Sequence, residues 1–136
     1  MENKKLIING ENAVFGRLCS YAAKQALQGN EVIIINSEKT IITGNKKNVL
    51  NKYKQRKIRG GASQKGPNYP RTPHMMLKRG IRGMLPDYRW GEGRDALERI
   101  KCYDGIPSEF KNKEMIKIEE LNKTKFIKLK EISEKI

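Results

Sequence analysis

Histidine occurs once and cysteine twice in the 136 residues, and no Cys-x-x-Cys pair is present. A Cys/His zinc site therefore cannot be assembled, because structural zinc takes four such ligands. Cys19 and Cys102 lie far apart and read as buried, reduced thiols of a cytosolic protein. Long apolar runs are missing too. The longest clean aliphatic run is Val32-Ile33-Ile34-Ile35, far short of the roughly 18–20 residues of a membrane helix. The N-terminal lysines are followed only by Leu6 to Ile8, too short for the apolar core of a secretion signal. There is no internal repeat and no low-complexity tract. Acidic residues are scarce: 15 Asp and Glu face 29 Lys and Arg, a net charge of +14.

What is present is basic charge, and it is clustered. Residues 1–45 and 102–136 are each close to neutral, at +1. Residues 46–101 hold sixteen basic and four acidic side chains, net +12, and eight of the nine arginines. Like charges crowded on a small domain repel unless a polyanion neutralises them. The arginine fork holds phosphate with two parallel hydrogen bonds and stacks on bases. The block therefore reads as a nucleic-acid footprint. A basic face kept for solubility needs neither the clustering nor the arginine. The length suits one domain over 1–136, with a basic segment at 46–101 and a charge-balanced tail at 108–136.

Local patterns give an α/β order. Leu6 to Asn9 is a short strand. Val14 to Gln28 is helical, with Val14, Leu18, Tyr21 and Ala22 at spacings of three and four and Gly29-Asn30 as its C-terminal stop. Val32 to Asn36 is a continuous apolar strand of the kind buried on both faces of a parallel sheet. Strand, helix and strand make a βαβ unit. Thr40 to Thr43 is a third short strand. Asn45 to Lys57 forms a helix with a narrow stripe of Val49, Leu50 and Tyr53. Residues 58–71 carry three glycines and two prolines and read as a long loop. Thr72-Pro73 opens another helix, with Leu77, Gly80, Ile81, Met84 and Leu85 on one face and Met75, Lys78, Arg79 and Arg82 on the other. A further helix is expected over Glu92–Cys102, facing Ala96, Leu97, Ile100 and Tyr103 inward and Arg94 and Lys101 outward. A short helix is expected near Leu129–Ile136.

Catalytic constellations are weak. Between Gly10 and Gly16 there are five residues, where a phosphate loop needs four followed by Lys and Ser/Thr; here Arg17-Leu18 follow. The fingerprint GxGxxG is absent. Gly16 reads instead as a close helix–sheet contact. His74 is the only candidate for a Ser-His or Cys-His pair; in the first turn of a basic helix it reads as an RNA contact or an exposed side chain. Asp87, Glu92, Asp95 and Glu98 read as ion-pair partners of nearby arginines. Tyr53 belongs to the core, whereas Tyr69 and Trp90 fit base stacking and packing equally.

Three stretches, in order and at compatible spacings, resemble the universal large-subunit ribosomal protein family called L-thirteen. They are INGENAVFGRLCSYAAK from Ile8, VIIINSEKTIITG from Val32, and Gly83–Pro107 with its GMLP and RIKCYDGIP. The chain lacks the insertion of the bacterial branch and the extension of the eukaryotic one, so the resemblance is to the archaeal type. DYRWGEG at 87–93 is bulkier than the Lys-rich linker of the family pattern. The resemblance implies a three-layer α/β/α sandwich around a small, mostly parallel four-stranded sheet. It also implies a non-enzymatic role: binding large-subunit ribosomal RNA, supporting assembly, and staying in the cytoplasmic large subunit beside neighbouring proteins. No cofactor, metal, membrane or small-molecule substrate is expected. Lys46, Lys47, Lys52, Lys54, Arg56 and Lys57 are expected to track phosphates from one helix. Arg59, Gly60, Gly61, Lys65 and Arg71 are expected to thread between RNA helices, and Lys78, Arg79 and Arg82 to dock a second helix. Arg17, His74, Arg89, Arg94 and Lys101 complete the expected set. A free-standing non-specific RNA-binding protein or RNA chaperone is the alternative.

Overall fold

The computed structural model describes residues 4–58, 70, 72–111, 113–118 and 125–135. Strand β1 (Lys5–Asn9) runs into helix α1 (Phe15–Leu27) and returns as β2 (Glu31–Ile35). The strands pair in parallel, with Leu6 opposite Val32 and Ile8 opposite Ile34. Helix α1 forms because Leu18, Cys19, Ala22, Ala23 and Ala26 fall on one buried face. It stops at Gly29, whose φ of 98° is open to glycine at little cost. The N–H of Asn30 donates to Gln25 O and that of Gly29 to Ala26 O, the paired bonds that close a helix through a left-handed residue.

Next come β3 (Ile41–Thr43), α2 (Lys46–Ile58), α3 (Pro73–Met84), α4 (Gly91–Glu98), β4 (Ile100–Cys102), β5 (Ile116–Lys117), β6 (Phe126–Lys128) and α5 (Leu129–Lys135). The main sheet is four-stranded and all parallel, in the order β4-β2-β1-β5. On one face Ile8, Val32, Ile34 and Ile100 cluster with Leu18 and Ala22 of α1, Leu77 and Ile81 of α3, and Leu129 and Ile132 of α5. On the other, Ile7, Ile33 and Ile35 cluster with Phe110, and Tyr103 and Met115 pack against them. Phe110 belongs to the short turn of helix Ser108–Phe110, which forms the thin third layer. The α/β sandwich expected from the sequence is therefore present.

Four local expectations need correction. Residues 92–102 are not one helix: α4 ends at Glu98 and Ile100–Cys102 is a strand paired with β2. Ile100 and Cys102 are buried and Lys101 between them is exposed, so the period is two. An open edge on β2 outweighs helical spacing. The strand at 41–43 leaves the parallel sheet and pairs antiparallel with β6. In α3, Met76 is 1% exposed and Met84 47%. Met84 lies at the end of the helix, beyond the body that covers Leu77 and Ile81. Gly16 is exposed, and a Cβ there would meet nothing within 4 Å.

The close approaches belong to other glycines. A Cβ on Gly10 would lie 2.9 Å from Thr40 Oγ1 and 3.0 Å from Ile35 O. One on Gly93 would run into the carbonyl oxygens of Pro86 and Asp87. Both cysteines are free and buried. Burial raises both thiols, Cys102 to about 12; at Cys19 the neighbouring Cys102 adds to the effect.

These contacts predict opposite outcomes for two glycines. Gly93→Ala must displace backbone and should cost about 1–3 kcal/mol. Gly16→Ala should be neutral or stabilising by up to about 1 kcal/mol, since Gly is a poor helix residue. Urea unfolding midpoints of the two variants test this; equal shifts would refute it.

Candidate nucleic-acid interface

In open parallel sheets, ligands usually bind beyond the carboxyl ends of the strands. Here the chain's own groups occupy that edge. The N–H of Gly10 donates to Ile35 O, and Thr40 Oγ1 donates to Gly10 O at 3.1 Å. Asn36, left-handed at φ 56°, donates its amide to Asn9 Oδ1 at 3.1 Å. Glu38 Oε2 accepts from the N–H of Gly105 at 2.8 Å. Among the described residues no group of three or more His, Cys, Asp or Glu could hold a metal. No described helix is long and apolar enough to cross a membrane.

The basic residues lie elsewhere, mainly on two helices that contain no acidic residue. Helix α2 reads KKNVLNKYKQRKI and α3 reads PHMMLKRGIRGM. Tyr53 of α2 is buried and Val49 and Leu50 half-buried, so α2 rests on the body by one narrow stripe. Lys46, Lys47, Lys52 and Lys54 are exposed, while Arg56 is half-buried with its guanidinium 5.2 Å from the Tyr53 ring centroid. Lys46 Nζ is 3.7 Å from Glu131 of α5, so this lysine has a protein partner.

Between the helices lies an open groove of about 600 Å³, lined by Phe15, Val49, Lys52, Tyr53, Arg56, Arg79 and Gly80 among others. Gly80 lets α3 approach Phe15: a Cβ there would be 2.5 Å from the ring. The groove has an apolar floor and cationic walls contributed by both helices. Arg79 also borders a second groove of about 250 Å³, with Pro70, Met75, Lys78, Arg82 and Leu97. The structure thus brings Lys52, Arg56, Lys78, Arg79 and Arg82 together. Arg17 is exposed in the first turn of α1, close in sequence to the groove residue Phe15.

Other expected residues stand apart. His74 Nδ1 is 2.8 Å from Asp104 Oδ2, both side chains half-exposed. Arg94 pairs with Glu98 at 3.6 Å on the surface of α4. Lys101 lines a groove of about 320 Å³ at the opposite end of the strands, with Lys4, Lys5, Glu31, Glu98 and Arg99. Lys4, Lys5 and Arg99 were not anticipated there. Arg99 is two residues from Lys101 in sequence, whereas only the parallel register of β1, β2 and β4 brings Lys4 and Lys5 to it. Arg99 is also structural, donating from Nη1 to Ala26 O at 2.9 Å. The side chain of Lys57, and Arg59, Gly60, Gly61, Lys65, Tyr69 and Arg71, lie outside the described residues.

The segment between α3 and α4 exposes aromatic surface. Arg82 lies 4.3 Å from the Tyr88 ring centroid and Arg89 5.7 Å. Trp90 is 67% exposed, which excludes the packing alternative.

The family profile described as ribosomal protein L13 matches residues 3–109. The chain belongs to that family. Its members are ribosomal proteins, structural components of the ribosome rather than enzymes. Among relatives named as large ribosomal subunit protein uL13, that of Methanosarcina barkeri is 42% identical, the alignment covering 96% of each chain. That of Thermoplasma volcanium is 40% identical, again over 96% of each. That of Methanococcus maripaludis is 47% identical over 75% of this chain and 76% of its own. The family profile spans both basic helices and stops before β5, whereas the two longer alignments continue into the tail.

The Tyr88 phenol should ionise below its ordinary value near 10. A hydrogen bond with Arg89 and the charges of Arg82 and Arg89 favour phenolate. Absorbance at 295 nm, wild type minus Tyr88→Phe, isolates this titration. Arg89→Ala should move the midpoint upward; an unmoved midpoint refutes the assignment.

Proposed function

We propose that the chain is a structural constituent of the large ribosomal subunit that binds large-subunit ribosomal RNA through the α2–α3 face and supports subunit assembly. One observation carries this reading: two acid-free helices place Lys52, Arg56 and Arg79 around one groove in a member of this family. The relatives' names supply the large subunit. In this reading Lys46, Lys47, Lys52 and Lys54 track phosphates along α2, and Lys78, Arg79 and Arg82 dock α3. Arg59 to Arg71 thread between RNA helices, and the remaining surface meets neighbouring large-subunit proteins. The chain acts as one domain, supported by α5 and α3 sharing one core. Phosphate contacts fix position without reading sequence. Specificity then comes from RNA shape and a few unstacked bases.

The test is affinity for archaeal large-subunit ribosomal RNA against transfer RNA across a salt series. Engaging 6–10 phosphates should cost roughly 10³–10⁵ in affinity between 50 and 200 mM salt, by DNA precedent. Ribosomal RNA should remain preferred at the high end. Lys52→Glu with Arg79→Glu should weaken binding at least about tenfold and flatten the salt slope by about 1 per lost contact, with an unchanged circular dichroism spectrum. Unchanged affinity of this variant overturns the α2–α3 assignment. Equal loss of both RNAs with salt favours the free-standing chaperone.

A further inference from the structure

The turn between α3 and α4 is held rigidly while presenting apolar surface to solvent. Asp87 Oδ1 accepts the N–H of Arg89 at 3.0 Å, which locks the start of the turn. Trp90 is extended, at φ −154° and ψ 169°, and Gly91 turns the chain into α4 at φ 63°. Gly93 then seats against the backbone carbonyls of Pro86 and Asp87. Within this frame Trp90 is 67% exposed. Two residues earlier, Tyr88 carries the Arg82 guanidinium 4.3 Å from its ring centroid, with Arg89 at 5.7 Å.

A single exposed apolar side chain on a surface is ordinary. Two aromatics on one braced turn, one of them with two guanidiniums at its ring, form a different arrangement. A guanidinium stacked on a ring keeps its N–H edges for phosphate. An indole is a π surface on which any base can stack, independent of sequence. We propose that residues 86–91 form a base-stacking platform: an unpaired nucleotide of the bound RNA lays its base on Trp90, and Arg82 and Arg89 hold the flanking phosphates. This deepens the RNA-binding reading and rests on it. Charge favours RNA over a protein here. Arg79, Arg82 and Arg89 lie at or before the turn, where the one acid is Asp87, which is committed to the turn; beyond it Arg94 is paired with Glu98.

Trp90 is the chain's one tryptophan, so intrinsic fluorescence reports on this site alone. The full chain is titrated with a short single-stranded oligoribonucleotide, with a duplex of equal length, and with archaeal large-subunit ribosomal RNA. The expected result is quenching by the single strand and by ribosomal RNA, and little by the duplex. Trp90→Ala should bind ribosomal RNA about 5- to 150-fold more weakly, the span of one lost stacking contact, with an unchanged salt slope. Trp90→Phe should recover part of the loss. Quenching by duplex and single strand alike overturns the proposal. So does ribosomal RNA bound with normal affinity by Trp90→Ala while wild-type emission stays constant; in that case the RNA-binding reading stands. If Trp90 stays open to iodide in the RNA complex and is shielded only when other large-subunit proteins are added, the turn is a protein contact and the proposal falls. Absence of any ribosomal RNA binding overturns both.

Discussion

The parallel pairing of Lys5–Asn9 with Glu31–Ile35 is the contact on which the rest depends. Val32 to Ile35 are all buried, so the strands cannot be displaced without exposing both faces of the sheet. Apolar burial is worth about 25 cal/mol per Å², and a strand covered on both sides collects it twice along its length. The carboxyl end of the pair is fastened by Gly10, Asn36 and Thr40 in hydrogen bonds to one another's elements. That polar edge leaves the cleft of a parallel sheet filled by the protein itself. The proposed RNA-binding surface accordingly lies on the helices outside the sheet.

The sheet also makes the basic helices possible. Among its described side chains helix α2 buries Tyr53 alone, and its sequence holds six cations and no acid. Such a sequence has little reason to be helical alone, because a short helix in water is marginal and like charges at i,i+4 destabilise it. The core assembled by α1, α3 and α5 tolerates that repulsion. A polyanion in the groove between α2 and α3 would relieve it. Stability and the proposed binding therefore draw on different residues: the apolar side chains at the sheet, and the cations that face away from it.

What the sequence disclosed depended on the range of the interactions. The β1–α1–β2 unit was legible because alternation, helical spacing and a glycine stop all lie within thirty residues. Thr72-Pro73 marked the start of α3, although Thr72 contributes only its carbonyl to the first turn, accepting from Met76. The boundary at Glu98 was hidden because Ala96, Leu97, Ile100 and Tyr103 suit a helix and a helix-plus-strand equally. Only the vacant edge of β2 separates the two. The tail was harder still, since β5 and β6 are two and three residues long and exist through partners far away in sequence. Of two glycines flanking one turn, Gly10 is packed and Gly16 is open. No local pattern distinguishes them.

For the interface, the count of charges was legible and their commitments were not. Lys46 reaches Glu131, Arg94 reaches Glu98, and Arg99 holds the carbonyl of Ala26. The first two pairs are exposed, and such pairs are worth about 0–1 kcal/mol. A phosphate bearing a full charge can replace either carboxylate at small cost. Arg99 differs, because it is half-buried and satisfies the C-terminal carbonyl of α1 together with the N–H of Gly29. Moving it would undo the joint between α1 and β4. The sixteen cations of residues 46–101 are therefore not equally available to the RNA of the proposed reading. The contribution of each cation follows from what it must release first.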